Sequence, residues 1–229
     1  MRIVSLVPSF TETLLDWGVT PVACTRFCEQ PTLTHVGGTK DPNLTAIGEL
    51  APDLVLMDSE ENRSEDYDAL IASGLDVFAT AVRDLASLDS GMASLAERLG
   101  TRWTPVANHG RTDHLLTCFV PIWRRPWIAL GSPTYGTDLL ASVGADNVVS
   151  DLGPYPEIAL GVVKSLGPQV VLAPSEPYPF RDRHVEELST VAPTVLVDGK
   201  DLFWWGSRTR GALERVRQLI ESTAELSGR

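Results

Sequence analysis

Two acidic pairs in matching surroundings are the residues most suited to contacting a ligand. The stretch Pro52-Asp-Leu-Val-Leu-Met-Asp-Ser59-Glu60 returns as Pro168-Gln-Val-Val-Leu-Ala-Pro-Ser175-Glu176, each copy an apolar strand pattern running into Ser-Glu and a charged helical segment. In open α/β sheets, polar groups just beyond the carboxyl ends of strands are where ligands gather. Glu60, Glu61 and Glu176 occupy that position. Ser-Glu is also an ordinary helix start, with serine capping and glutamate near the positive end of the helix dipole. The sequel Pro177-Tyr178-Pro-Phe180 is unlike such a start and favours a functional role for Glu176.

Two further segments concentrate aromatic and cationic groups. Ile122-Trp-Arg-Arg-Pro-Trp127 places two indoles and two guanidiniums in six residues at a strand-to-strand turn, and Phe203-Trp-Trp-Gly-Ser-Arg208 repeats the combination before the last helical segment. Tryptophan and arginine together suit a flat or anionic ligand, by stacking and by bidentate contact with carboxylate or phosphate. Each indole taken singly fits core packing as well. His35, His109, His114 and His184 are scattered without the spacing of a zinc site. Cys24 and Cys28 read as small core residues. Gly-x-Ser-x-Gly, P-loop and Gly-x-Gly-x-x-Gly patterns are absent from the sequence, so no catalytic centre, resident cofactor or protein-held metal is expected.

The elements that must position these residues form two similar halves. Phe10 with Leu14, Leu15 and Gly18 is echoed by Tyr135 with Leu139, Leu140 and Gly144. A repeat this long exceeds the roughly 20–50 residues of a solenoid unit and points to two facing lobes with a cleft between them. Strands are expected at residues 3–7, 22–25, 54–57 and 77–79, alternating with helices that begin near Pro8, Asn43 and Arg63. Ser9 or Thr11 is the expected cap of the first helix. Residues 26–42 read as a long irregular loop. The second half is expected to hold strands at 115–123, 127–130, 170–173 and 195–197, with helices at 134–143, 157–166, 181–191 and 207–226.

Alternation of strand and helix implies α/β lobes with parallel-type sheets flanked by helices. Leu85, Leu88, Met92, Leu95 and Leu99 form a helical stripe, so residues 84–101 are read as one long backbone helix joining a lobe at 1–83 to a lobe at 102–229. Such a stiff joint would keep closure small.

The 229 residues carry a formal charge of −11, which argues against nucleic acid as a partner. Three cysteines form no even framework, and Met1 leads directly into a strand pattern without a signal-like apolar stretch. The chain as given therefore reads as cytoplasmic, and as periplasmic or lipid-anchored if trimmed. A monomer is expected.

Taken together, Ile3-Val-Ser-Leu-Val-Pro-Ser-Phe-Thr-Glu-Thr, Val36-Gly-Gly-Thr-Lys-Asp-Pro, Glu60-Glu-Asn-Arg63, Ile122-Trp-Arg-Arg-Pro-Trp127, Pro174-Ser-Glu-Pro-Tyr-Pro-Phe180 and Gly206-Ser-Arg-Thr209 resemble the helical-backbone periplasmic binding proteins. This class captures vitamin B12, haem and iron-siderophores. The resemblance covers almost the whole chain. It implies non-enzymatic binding of a cobalamin, haem or ferric siderophore in a cleft lined by Ser9, Phe10, Trp123, Tyr155, Glu176, Tyr178, Trp204, Trp205 and Arg208. Glu60 and Arg124 join them from the reading of the residues themselves.

The cobalamin importer's binding protein docks to an ABC permease through an acidic residue on each lobe. Here the first lobe offers Glu65 or Asp66, whereas Gly161 stands near the corresponding place in the second, which speaks against permease docking. Near relatives read Cys-x-His-Pro where this chain has Cys28-Glu-Gln-Pro31, so any metal contact through that histidine is missing. The rival readings are an enzyme acting on a metal chelate or tetrapyrrole, and an interaction module whose cleft is closed by its own aromatics.

Overall fold

The computed structural model describes residues 1–106 and 113–227, so His109 lies outside the described residues. The chain divides into two compact units. The first comprises Met1–Val82, Ser87–Pro105 and Gly206–Arg208, and the second Arg83–Ala86, Val106–Trp205 and Thr209–Arg229.

In the first unit, β1 (Ile3–Ser5), α1 (Pro8–Asp16), β2 (Ala23–Cys24), β3 (Thr34–His35), α2 (Leu44–Glu49), β4 (Leu54–Asp58), α3 (Ser64–Ala72) and β5 (Val77–Thr80) follow one another. The sheet has the order β3-β2-β1-β4-β5 and every pairing is parallel. Its central strands read as unbroken apolar runs because helices cover them: β4 is buried along its whole length. Val4, Leu6, Ala23, Val36, Ile47, Val55, Met57 and Leu70 form the core.

The alternation expected from the sequence is present, with two differences. The stretch read as a loop contains β3, whose two residues are exposed at a sheet edge and show no apolar period. Neither Ser9 nor Thr11 caps α1. Val7 is the N-cap with Pro8 following it, and the Thr11 hydroxyl lies 2.8 Å from Ser5 Oγ. Proline at the first helical position removes one of the orphan N–H groups that a cap would satisfy. Asn43 does cap α2, its side chain accepting from Ala46 N at 3.0 Å.

The chain leaves this sheet through α4 (Leu85–Arg98), whose Leu85, Leu88, Met92 and Leu95 are fully buried. The second unit then contains β6 (Leu116–Phe119), β7 (Pro121–Trp123), β8 (Ile128–Ala129), α5 (Tyr135–Ser142), β9 (Ala145–Asn147), α6 (Leu160–Leu166), β10 (Val170–Pro174), α7 (Asp182–Leu188), β11 (Thr194–Val197), α8 (Lys200–Phe203) and α9 (Thr209–Ser227). Its main sheet is parallel with the order β11-β10-β6-β9, and β7 pairs with β8 as a separate antiparallel hairpin.

The single strand expected over residues 115–123 is therefore two, broken before Pro121, which has no N–H to extend a ladder. The helix expected from Glu157 starts only at Leu160. Glu157 instead bridges Ile128, and Ile158 N donates to Trp127 O at 3.0 Å. The core gathers Phe119, Ala129, Val149, Val163, Val171, Ala173, Phe180 and Leu188. The duplicated strand pattern proves structurally equivalent: β4 lies between β1 and β5, and β10 between β6 and β11. The two echoed helices also end alike, with Gly18 at φ 74° and Gly144 at φ 88°, a backbone region that glycine enters without steric cost.

Candidate functional site

In the first unit, the turn after β4 is built by Asp58 and Asn62. Asp58 Oδ1 accepts from Glu60 N at 2.9 Å, while Oδ2 accepts from the Thr80 hydroxyl at 2.6 Å and from Val82 N at 3.0 Å. Asn62 Oδ1 accepts from Asp58 N at 2.9 Å, and its amide donates to Leu6 O and Thr39 O. Both side chains are buried. Burial pushes the Asp58 carboxyl above its ordinary range, with the three hydrogen bonds opposing the shift and the Glu60 charge adding to it.

Beside this turn is a cavity of about 620 Å³, lined by Met57, Asp58, Ser59, Asn62, Arg63, Ser64, Glu65, Tyr67 and Ala79. That volume falls within the range of small-molecule sites, roughly 300–1,000 Å³. Glu60 follows Ser59 in this turn and is not among the lining residues; its carbonyl accepts from Lys40 Nζ at 2.8 Å. Asp66 is engaged by Arg63 at 3.1 Å and is buried, whereas Glu65 is exposed.

The other expected contacts in this unit are otherwise committed. Phe10 is fully buried, edge-on to Phe78 at 6.2 Å, and the Ser9 carbonyl accepts from the Thr13 hydroxyl inside α1. Arg208 Nε lies 2.9 Å from Glu12 Oε2, and its neighbour Ser207 donates from its N to Thr13 Oγ1 and from its hydroxyl to Asp16. Gly206, at φ 105°, permits this seat: a Cβ there would lie 2.1 Å from Thr13 Oγ1.

In the second unit, the hairpin between β7 and β8 meets the loop after β10. Trp123, 45% exposed, stands edge-on to Tyr178 at 5.5 Å. Tyr178 also touches Phe180 at 4.8 Å and the His184 ring at 5.5 Å, and Trp127 stacks on Phe180 at 6.1 Å with 5° between planes. Arg124 donates to Glu187 Oε2 at 2.8 Å and lies over the Trp127 ring at 5.9 Å. Its guanidinium is raised above its ordinary range, chiefly by the hydrogen bond to Glu187. His184 is buried, and desolvation together with Arg183, Arg124 and Arg181 pulls its imidazole below the usual range despite an opposing pull from Glu187.

Glu176 is seated against Gly199. Ser175 Oγ accepts from Gly199 N at 3.0 Å, and a Cβ on Gly199 would lie 2.6–2.7 Å from Glu176 Cγ, N and O. Tyr155 is 48% exposed, and Trp204 has the Lys200 ammonium 4.6 Å over its ring. Trp205 is buried at 3%.

Trp123, Arg124 and Tyr178 thus form one aromatic and cationic cluster at the carboxyl side of the second sheet. Ser9, Phe10 and Trp205 present no free face. Sequence reading missed the supports of both loops. The pair Phe180 and His184, four residues apart, was a usable signal for one, and so was the equal spacing of Asp58 and Asn62 for the other, although their bonds to Leu6, Thr39, Thr80 and Val82 join residues distant in sequence. Among the described residues, no group of three or more His, Cys, Asp or Glu could hold a metal ion, and no helix is long and apolar enough to cross a membrane.

Parallel α/β units of this topology, with a helix carrying the chain out of the first sheet, constitute the fold of the helical-backbone periplasmic binding proteins. Solved structures with this fold include the periplasmic vitamin B12 binding protein BtuF of Vibrio cholerae, at 18% identity and TM-score 0.78, with 97% of each chain covered. The periplasmic haem-binding protein RhuT from Roseiflexus sp. RS-1 matches at 19% identity and TM-score 0.77, over 97% of this chain and 98% of that one. The haem-binding protein HutB of Vibrio cholerae matches at 19% and 0.77, over 96% and 98%. By sequence, the Fe(3+)-citrate-binding protein YfmC of Bacillus subtilis (strain 168) is 22% identical over 205 residues, which covers 74% of this chain and 62% of the relative. No protein-family model matches the chain. The three solved relatives are periplasmic proteins, in contrast to the cytoplasmic reading of the sequence.

Proposed function

We propose that this chain is a non-enzymatic binding protein for a corrinoid, a haem or a ferric chelate, held by the loops at the carboxyl ends of its parallel strands. The observation that carries the reading is the cluster of Trp123, Tyr178 and Arg124, in which an indole remains 45% exposed on a rigid aromatic base. An apolar, preorganised surface supplies affinity because little side-chain freedom is lost on binding. Glu176, Tyr155, Trp204 and Glu60 are taken as further ligand contacts in this reading. The ligands of these relatives, vitamin B12, haem and ferric citrate, support this choice of chemistry.

In this reading the ligand is cargo and not a cofactor. The chain acts as a monomer in a reducing compartment, the cytoplasm, a placement supported by three buried free thiols. Glu65 offers one exposed carboxylate, whereas the resemblance sets Gly161 of α6 at the second docking position, so this reading does not depend on a permease.

Titration of tryptophan fluorescence with cyanocobalamin, haemin and ferric citrate tests the proposal. Saturable quenching by one of them at micromolar concentration, weakened in Trp123→Ala, is the expected result. No quenching by any of the three overturns it.

A further inference from the structure

The cavity of about 620 Å³ in the first unit is lined by none of the side chains taken above as contacts for the chelate. Its base is laid by β4 and β5, whose register sets Met57 and Ala79 side by side. Side chains alternate along a strand, so these two share a face with Val55 and Val77, the face that α3 covers through Leu70. Tyr67 precedes Leu70 by three residues, on the same side of α3, and supplies the wall. Ala79 is what leaves the space, since Val77, Phe78 and Thr80 of the same strand all carry larger side chains. Ser59 and Ala79 are exposed and Tyr67 is 37% exposed, so the base is reached directly from solvent.

The charged and amide groups around this space are already committed. The Asp58 carboxylate accepts from three donors, and Asn62 spends both amide protons on Leu6 O and Thr39 O. Arg63 is held by Asp66, through Nε at 3.1 Å and Nη2 at 3.4 Å. Glu65 is exposed, with the Ser64 hydroxyl 3.4 Å from its carboxylate. The Ser59 and Tyr67 hydroxyls, by contrast, have no hydrogen-bond partner among the described residues. A charged ligand would shed water here without meeting a free counter-charge, which is costly. A neutral ring meets a thioether and a phenol ring, both favourable neighbours for an aromatic face or edge.

We propose that this cavity is a second binding site, for a small neutral phenol of one or two rings. The ring lies on Met57 and Ala79 with its edge or face against Tyr67. The ligand hydroxyl bonds the Ser59 and Tyr67 hydroxyls, each of which can donate or accept. The site is complete within the first unit, and its ligand class is unlike the metal chelate proposed above.

The test titrates the full native chain, labelled with nitrogen-15, with 2-naphthol at neutral pH and follows the assigned backbone amides. Expected are saturable shifts confined to the cavity, centred on residues 57–67 and Ala79, with a dissociation constant below about 1 mM. The charged counterparts 2-naphthoate and 2-naphthylmethylamine should bind about tenfold more weakly or less. Ala79→Leu should weaken binding by about tenfold or more, because its added carbons occupy the place of the ring. Tyr67→Ala should weaken it about 2- to 12-fold, the loss of one aromatic contact. The amide spectrum of each variant reports its fold, and the wild-type titration stands even if a variant fails to fold. No chelate is used, so failure here is distinct from failure of the binding proposal. Absence of saturation, shifts centred outside the cavity, a charged counterpart binding as tightly as 2-naphthol, or unchanged binding in folded Ala79→Leu would each overturn the inference.

Discussion

Replacing Gly199 with alanine should disturb the Glu176–Tyr178 loop without touching a ligand. Gly199 sits at φ −62° and ψ −30°, where alanine is comfortable, so the cost is steric and not conformational. The new Cβ would stand 2.6 Å from Glu176 Cγ and 2.7 Å from its backbone N and O, whereas ordinary contact begins near 3.4 Å. The loop must yield by about 0.7–0.8 Å, and backbone cannot rotate away as a side-chain tip can. Overpacking of this kind costs about 1–3 kcal/mol, which lowers Tm by about 2–12 °C in a chain of this size. Tyr178, two residues beyond Glu176, would be pulled from its 5.5 Å edge contact with Trp123. Loss of such an aromatic contact, worth about 0.5–1.5 kcal/mol, weakens ligand affinity about 2- to 12-fold. Differential scanning calorimetry and the fluorescence titration read the two effects. Gly161→Ala is the control, because nothing lies within 4 Å of a Cβ there. A Gly199→Ala protein within about 0.5 kcal/mol of wild type refutes the packing argument. One that is destabilised but binds with wild-type affinity refutes the link from Gly199 to the ligand loop.

The tryptophans should separate by burial. Trp205→Ala, at a site 3% exposed, should cost about 3–5 kcal/mol by urea unfolding, whereas Trp123→Ala, at 45%, should cost under about 1.5 kcal/mol and act mainly on affinity. Asp58→Ala strips the acceptor from Glu60 N, Val82 N and the Thr80 hydroxyl, and should cost about 2–4 kcal/mol, the adjoining cavity admitting water to part of the site. Because burial raises Asp58 above its unfolded 3.8, the folded state holds that proton more tightly. Its contribution to stability should fall as pH rises from 3.8 through the folded value, and Asp58→Asn should remove that component from a pH series of urea midpoints. His184 runs the other way: its folded value lies below 6.5, so stability should be lost as pH falls from 6.5 through the folded value, and His184→Gln should flatten that limb in the same series.

Much of the fold was legible because its signals are local. The apolar runs of β4 and β10, the spacing of Leu85, Leu88, Met92 and Leu95, the Asn43 cap and the glycines after α1 and α5 each record a backbone preference that neighbouring residues enforce. The illegible elements are those without a period. β3 has two exposed residues, and β9 alternates weakly over three. The turn between Trp123 and Trp127 was legible, but the break that separates β7 from β6 before Pro121 was not. The candidate site was marked by composition and sorted by burial. Composition marked Trp123, Arg124, Tyr178 and Glu176, but the same composition marked Phe10, Trp205 and Arg208, which packing has claimed.

By itself the sequence determined the class of fold, the duplication, the acidic balance and the two aromatic and cationic loops, since each follows from residue type and short-range spacing. Tertiary structure alone decided which of those groups remain available. Trp204 and Trp205 are adjacent in the chain, yet only Trp205 is in the core. Arg208 is paired with Glu12, nearly the whole chain away, and Asp58 organises a cavity through Thr80 and Val82. Burial and pairing are properties of contacts between distant segments, and no local pattern encodes which distant partner a side chain will meet.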